Sequence, residues 1–289
     1  MKLSVSMLTS YMYCKRKLYL QYVLGLIEPV KESTIKGTIR HETYDLINKE
    51  EENIVKSIKE KKTLEELKEI YKKETSRFLR KTISKYKEEL KKVDISSKQL
   101  FKDTWPLIIE ESEARANNVF NFMETHMVFG EELWERLTPK IQSEIFIDSD
   151  KLNLKGVIDQ IEIYTNGIVP IELKTGNCPK ENVWPNHKIQ VGAYALLLEE
   201  KFKQKVKEGF VNYLDVKQKR QIAINFFLLH EVNSLINKVQ LTINSDKVPE
   251  FTTNPNKCNS CGLKQQCYNN SLINNKIKTL NKTTLNRKL

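Results

Sequence analysis

The stretch Gly156-Val157-Ile158-Asp159-Gln160-Ile161-Glu162-Ile163-Tyr164-Thr165-Asn166-Gly167-Ile168-Val169-Pro170-Ile171-Glu172-Leu173-Lys174 decides the fold. Two β-branched, apolar runs flank Asn166-Gly167, the strongest short signal for a hairpin with a two-residue turn. With Asn166 and Gly167 in the turn, Thr165 pairs with Ile168. The same register sets Asp159 opposite Lys174, Ile161 opposite Glu172 and Pro170 opposite Ile163. Successive side chains alternate faces, so Asp159, Glu172 and Lys174 share one. Directly opposed pairs lie ~5 Å apart, and the diagonal Asp159–Glu172 pair ~7–8 Å. Pro170 would then occupy a hydrogen-bonded position, which calls for a bulge or an edge strand.

Two carboxylates at that separation can hold a hard divalent cation such as Mg²⁺ or Mn²⁺. Such an ion polarises a phosphodiester and acidifies an attacking water. The Lys174 ammonium can orient or deprotonate that water and offset charge growing in the transition state. A cross-strand salt bridge on an exposed hairpin uses the same residue types, so spacing by itself leaves both readings open.

Further along the chain, Gly37 and His41 stand on an expected helix, and imidazole can complete a metal site. Gln190 and Tyr194, four apart on another expected helix, face the same way. They can reach DNA or steady the lysine, while Tyr194 also suits a core position. Helical periodicity covers most of residues 1–48, with a second helix expected from about Ser33 to Asn48. The charged stretch from Glu50 to Leu100 lacks Gly and Pro and repeats Leu64, Leu67, Tyr71, Phe78, Ile83, Tyr86 and Leu90 along one amphipathic face. Helix is expected again from about Leu107 to His126. After Pro139, strands are expected at Ile141–Ile147, Leu152–Tyr164, Ile168–Lys174, Phe210–Leu214 and Ile222–Leu229, with a helix over Pro185–Lys201. This order predicts an α/β protein: a mixed sheet flanked by helices, with a helical insertion. The expected division is 1–42 N-terminal helices, 43–130 insertion, 131–250 sheet core and 251–289 cysteine segment with a basic tail.

At 289 residues the chain is long enough to bury a core without disulfides. Hydrophobic residues at 39% and charged ones at 29% argue against disorder and collagen. No apolar run reaches the ~20 residues of a membrane span, and Lys15-Arg16-Lys17 interrupts any signal-peptide hydrophobic region. A soluble, cytoplasmic protein is the expectation. The net charge of +11 points to a polyanionic partner. Residues 49–103 contribute 17 basic against 12 acidic side chains, and the tail 271–289 has Lys276, Lys278, Lys282, Arg287 and Lys288 with no acid. A solvated helix face and a frayed tail would show the same excess.

Five cysteines, an odd number, do not make a disulfide framework. Cys258, Cys261 and Cys267 form a compact C-x₂-C-x₅-C loop, and Cys14 can supply a fourth thiolate. Zinc and a [4Fe–4S] cluster both accept four thiolates, and the spacing does not choose between them. Cys178 is read as a small buried residue.

The ordered set Cys14, Gly37/His41, Gly156/Asp159, Glu172/Lys174, Gln190/Tyr194 and Cys258/Cys261/Cys267 resembles the RecB-type nucleases of the PD-(D/E)XK superfamily, specifically the iron–sulfur exonucleases associated with CRISPR adaptation. The resemblance spans residues 14 to 267. It implies a restriction-endonuclease-like fold and a [4Fe–4S] cluster on the four cysteines. It also implies Mg²⁺ or Mn²⁺ held by His41, Asp159, Glu172 and the Leu173 carbonyl, with Lys174 as the catalytic lysine. The implied substrate is single-stranded DNA, typically cut from the 5′ end, in prespacer trimming beside the CRISPR integrase. Residues 43–130 are long for the compact members. A repair or recombination nuclease uses the same chemistry, and a non-catalytic DNA-binding assembly subunit with a zinc or iron–sulfur staple is the alternative from another class.

Overall fold

A computed structural model describes residues 1–29 and 31–286, with side chains described to residue 280. The chain opens with β1 (Leu3–Ser4), α1 (Val5–Tyr13) and α2 (Lys15–Tyr22). Five helices follow: α3 (Glu32–Lys56), α4 (Leu64–Lys85), α5 (Lys87–Lys92), α6 (Ser97–His126) and α7 (Gly130–Arg136). Then come β2 (Lys140–Ser149), β3 (Leu154–Tyr164), β4 (Gly167–Lys174), α8 (Pro185–Phe202), β5 (Glu208–Tyr213), β6 (Gln218–Ala223) and α9 (Phe226–Ile243). Short helices α10 (Pro255–Asn259) and α11 (Lys264–Cys267) lead into α12 (Asn270–Asn286).

The six strands make one mixed sheet in the order β1-β3-β4-β5-β6, with β2 also on β3. β4 and β5 run parallel, and α8 is the crossover that such a connection requires. One sheet face packs on α1, α8 and α9 through Leu8, Ile161, Ile189, Val211 and Val232. The other carries Ile171 and Leu173 into the core of the α3–α7 bundle, beside Ile39, Tyr71, Leu79 and Val119. A third, smaller core joins the two ends of the chain through Leu20, Leu24, Leu263 and Ile273.

Several elements differ from expectation. The charged stretch 50–100 is not one helix: α3 ends at Lys56, and Thr63 opens α4 with a capping box to Glu66. α3 runs unbroken through the expected boundary at residue 42, so one helix belongs to both the sheet core and the bundle. α6 begins at Ser97, ten residues before the expected start, with Ser96 as its cap. The strand expected over Ile222–Leu229 stops at Ala223; Asn225 accepts the Leu228 N–H at 3.0 Å and starts α9. Cys178 is half-buried rather than buried. No helix among the described residues is long and apolar enough to cross a membrane. Of the tail cations, Arg287 and Lys288 lie outside the described residues.

Candidate active site

The hairpin forms, in a register two residues from the expected one. Tyr164 pairs with Gly167 and Ile161 with Pro170, so Thr165-Asn166 is the turn. The displaced pairing corrects both the Asp159–Lys174 and the Pro170–Ile163 oppositions. Pro170 precedes the first β4–β5 pair, Ile171 with Phe210, so its missing N–H removes no bond from that ladder. A slip of two keeps every side chain on its face, whereas a slip of one would have reversed them all. The β3–β4 ladder ends at Gln160–Ile171; one residue beyond, the Asp159 carboxylate accepts the Leu173 N–H at 2.8 Å.

A kink in β2 and β3 opens the site at that rung. Ile145 lies against the α1/α8/α9 core, yet Ser143, two residues earlier, faces the bundle and donates to Asp45 at 2.8 Å. Ile158 and Ile161, three apart, both enter the α1/α8/α9 core. The switch coincides with Glu144, at φ +51°, and with Asp159, which stands across from it between the pairs Ser143–Gln160 and Ile145–Ile158. A left-handed glutamate costs about 1–2 kcal/mol, and such strain persists only where the surroundings enforce it.

His41 comes from α3, and its Nδ1 is 3.8 Å from Asp159 Oδ1. His41, Glu144 and Asp159 each offer a ligand atom within 4.8 Å of the others. They line a cleft of about 790 Å³ beneath α3, with Asp45, Lys49 and Lys85 at its rim. Glu144 is the residue that sequence reasoning missed. Only the β2–β3 register could have pointed to it, and no turn signal between those strands declared that register.

Glu172 is 2% exposed, and its Oε2 has no hydrogen-bond partner. Its other oxygen accepts from Lys174 Nζ. Burial, then the charge of Asp159, pushes the Glu172 carboxyl up to about 8. Burial likewise lifts Asp159 to about 6, although the Leu173 N–H and Lys174 oppose it. Burial also lowers the pKa of His41, which keeps its imidazole neutral and able to bind a metal. Among the described residues His41, Glu144 and Asp159 are the group close enough to share one ion, and Glu172 lies near Asp159 with one buried oxygen lacking a hydrogen bond. A divalent cation would favour the ionised form of these acids.

Gln190 accepts from Lys174 Nζ at 3.1 Å, and its amide donates to the Tyr194 hydroxyl at 2.9 Å. Of the two roles open to this pair, steadying the lysine is the one present here. Tyr194 is also core, at 3% exposed. Gly156 explains its own place before Asp159: a Cβ there would lie 2.9 Å from Val5 and 3.3 Å from Leu197, so only glycine lets α1 and α8 settle on β3. Gly37 has no such constraint, since a Cβ would meet only Thr175 at 3.7 Å.

At the other end of the molecule, Cys14, Cys258, Cys261 and Cys267 line one pocket. Cys14 joins α1 to α2 and takes the Lys17 N–H at 3.5 Å. Cys261 N–H donates to the Cys258 carbonyl at 3.2 Å, and Cys267 N–H to that of Leu263 at 2.7 Å. Buried Arg16 donates to Cys267 Sγ at 3.2 Å and stacks on Phe251. All four thiols are free and half-buried. Four sulfur donors with cations around them suit a negatively charged thiolate site, and the donor set accepts either zinc or an iron–sulfur cluster.

This arrangement of mixed sheet, acid pair and lysine has its counterpart among known proteins. The sequence model of the PD-(D/E)XK nuclease superfamily matches residues 2–268, and the chain belongs to that superfamily. It is 30% identical over 149 residues to a CRISPR-associated exonuclease Cas4/endonuclease Cas1 fusion of Leptospira interrogans, which covers 48% of this chain and 27% of that protein. It is 27% identical over 121 residues to CRISPR-associated exonuclease Cas4 of Francisella tularensis subsp. novicida, covering 42% and 59%. With the DNA replication ATP-dependent helicase/nuclease JHS1 of Arabidopsis thaliana the identity is 27% over 124 residues, covering 38% and 9%. The matched region is thus less than two thirds of each of these relatives.

Proposed function

We propose that the chain is a divalent-metal-dependent deoxyribonuclease that trims single-stranded DNA ends, from the 5′ side, in the CRISPR adaptation pathway. The observation that carries this reading is the buried, unpartnered Glu172 Oε2 beside Asp159 and Lys174. His41, Glu144, Asp159 and Glu172, with the Leu173 carbonyl, would hold the ion. When bound, that ion supplies Lewis acidity to the scissile phosphate and lowers the pKa of a water. Lys174, fixed between Glu172 and Gln190, is set to donate a hydrogen bond to the attacking water and to offset charge growing on the phosphate. The Asp159 contact to the Leu173 N–H holds one carboxylate in place during this. Superfamily membership and the Cas4 relatives support nuclease chemistry; the Cas1 fusions support an integrase as partner. For the cysteine pocket the resemblance favours [4Fe–4S] over zinc, and a cytoplasmic setting would keep its thiols reduced.

The test is cleavage of end-labelled single-stranded DNA in Mg²⁺ or Mn²⁺. Asp159→Ala, Glu172→Ala and Lys174→Ala should each abolish cleavage while binding in EDTA persists; near-normal activity in two of the three would refute the assignment. Labels at either end read the polarity. Brown colour with broad visible absorption would mark the iron–sulfur centre, and a colourless protein with stoichiometric zinc would exclude it.

A further inference from the structure

The surface of the bundle is dense with charge, and most of it is self-neutralised. On α4 and its neighbours, Lys68 pairs with Glu65, Lys72 with Glu69, Arg77 with Glu74, Lys85 with Glu42 and Lys91 with Glu88. Four cations without such a partner gather in one place. Where the last turns of α4 meet the first turn of α6, a groove of about 610 Å³ is lined by Arg80, Lys87, Lys98 and Lys102, around Phe101. All four cations are exposed. Among the described residues none of them lies within ion-pair distance of a carboxylate, and the first turn of α6 has no acid.

The groove also has a flat, layered wall. Phe101 stacks on Trp105 at 5.5 Å with ring planes 16° apart, and the Arg80 guanidinium lies over Phe101 at 4.4 Å. Arg80 spends only its Nε–H, on Ser76, so its two terminal amino groups remain to meet a ligand. Four like charges held together without counter-charge repel one another and favour a polyanion that neutralises them. A guanidinium on an aromatic stack can meet a phosphate with its free amino groups and a nucleobase with its plane, and single-stranded nucleic acid offers both at once. Groove and cleft both border α4: Ser84 lines the groove, and Lys85, next in sequence, lines the cleft that contains His41 and Asp159. Arg80 is only about 7–8 Å further along the α4 axis from Lys85.

We propose that this groove is a second binding site for single-stranded DNA, which holds the strand beyond the nucleotides at the metal site. The proposal rests on the nuclease reading above and deepens it. It gives the bundle a function: it lengthens the footprint on the strand and favours long substrates over short ones.

The experiment compares wild type with Arg80→Ala/Lys87→Ala/Lys98→Ala/Lys102→Ala. A control variant removes equal charge from exposed Lys201, Lys203, Lys205 and Lys207, in the last turn of α8 and just beyond it. Binding of labelled oligothymidylates of about 20 and about 6 nucleotides, bracketing common module site sizes, is followed in EDTA over a salt series. The groove variant should lose at least ~10-fold affinity for the longer strand and little for the shorter. Its slope of log K on log salt should become shallower by about 2–3, at ~0.7 per phosphate contact. In Mn²⁺ its KM should rise for the long strand with kcat unchanged. Unchanged long-strand affinity, equal loss on both lengths, or equal loss in the control would overturn the proposal. Competition by poly-glutamate as effective as by unlabelled DNA would overturn it too, marking an acidic protein as the occupant. A wild type that binds but never cuts would refute the nuclease reading alone, because binding is measured without metal.

Discussion

Two buried glutamates show how differently this molecule treats the same chemical group. Glu51, in the bundle, is 4% exposed; Glu172, on the sheet, is 2% exposed. Burial raises the pKa of both. Glu51 has every oxygen engaged: one accepts from Tyr71 at 3.2 Å, the other from Arg115. Arg115 places its other two nitrogens on Asn48 and Glu111, so each nitrogen has a partner, while the Asn48 Nδ2 is left without one. Glu172 has Lys174 on one oxygen and no well-formed hydrogen bond on the other, with the Tyr194 hydroxyl and the Asp159 carboxyl close by instead of a second cation. In this bundle network each charged group meets an opposite charge or a hydrogen bond, and the atom left over is the neutral Asn48 Nδ2; on the sheet the atom left over belongs to a carboxylate that lies beside a second carboxylate. An unpartnered carboxylate oxygen next to another acid is what a cation would neutralise.

The contrast can be broken most forcefully at Arg115. Arg115→Ala leaves Glu51 and Glu111 without their cation and should destabilise the fold by about 3–5 kcal/mol, measured by chemical denaturation. Replacing both partners, Glu51→Leu with Arg115→Met, should recover most of that loss; failure to recover would mean that the network itself, not the orphaned charge, sets stability.

Divalent metal sharpens the other side. Glu172 binds its proton more tightly in the folded state, about 8 against an ordinary 4.5, so its contribution to metal-free stability is complete at low pH. That contribution declines as pH rises from about 4.5 and is gone above about 8. Metal must displace this proton and that of Asp159, so Mn²⁺ should raise Tm more at pH 8 than at pH 6. At 100 times its Kd the ion would stabilise by about 2.7 kcal/mol. A Tm shift independent of pH would argue that the metal binds elsewhere.

Glu172→Gln should give a smaller effect of opposite sign: metal-free protein at pH 8 gains on the order of 1 kcal/mol as the buried charge disappears, while the Mn²⁺ shift collapses. Loss of stability in that variant would place Glu172 with Glu51 as a structural acid. Smallest of all, Gly37→Ala inside α3 should stabilise by about 0.5–1 kcal/mol through helix propensity, since its Cβ would make only an ordinary contact with Thr175. Gly156→Ala, with a Cβ 2.9 Å from Val5, serves as the destabilised reference.

Part of this site was legible before any coordinates. Asn166-Gly167 announced the hairpin, and strand alternation put Asp159, Glu172 and Lys174 on one face. For Glu172 and Lys174, two apart on one strand, that reading does not depend on where the turn falls, because a two-residue slip preserves faces; at Asp159 the kink in β3 interrupts the alternation. The slip did change neighbours, however, and turned an expected Asp159–Lys174 pair into a Lys174–Glu172 contact. Asn225 was a readable cap that the apolar run Ile222–Leu229 concealed.

What the sequence determined by itself is chemical and local: the residue types, the helix and strand periods, the hairpin and the two cysteine segments. These follow from contacts between residues close in the chain, whose spacing is set by backbone geometry. What tertiary structure alone decided is convergence. Glu144 meets Asp159 only through the kink in β2, His41 arrives on a helix shared with the bundle, and Cys14 meets Cys267 across nearly the whole chain. Those approaches depend on how separate elements pack, and no local preference encodes the distance between them.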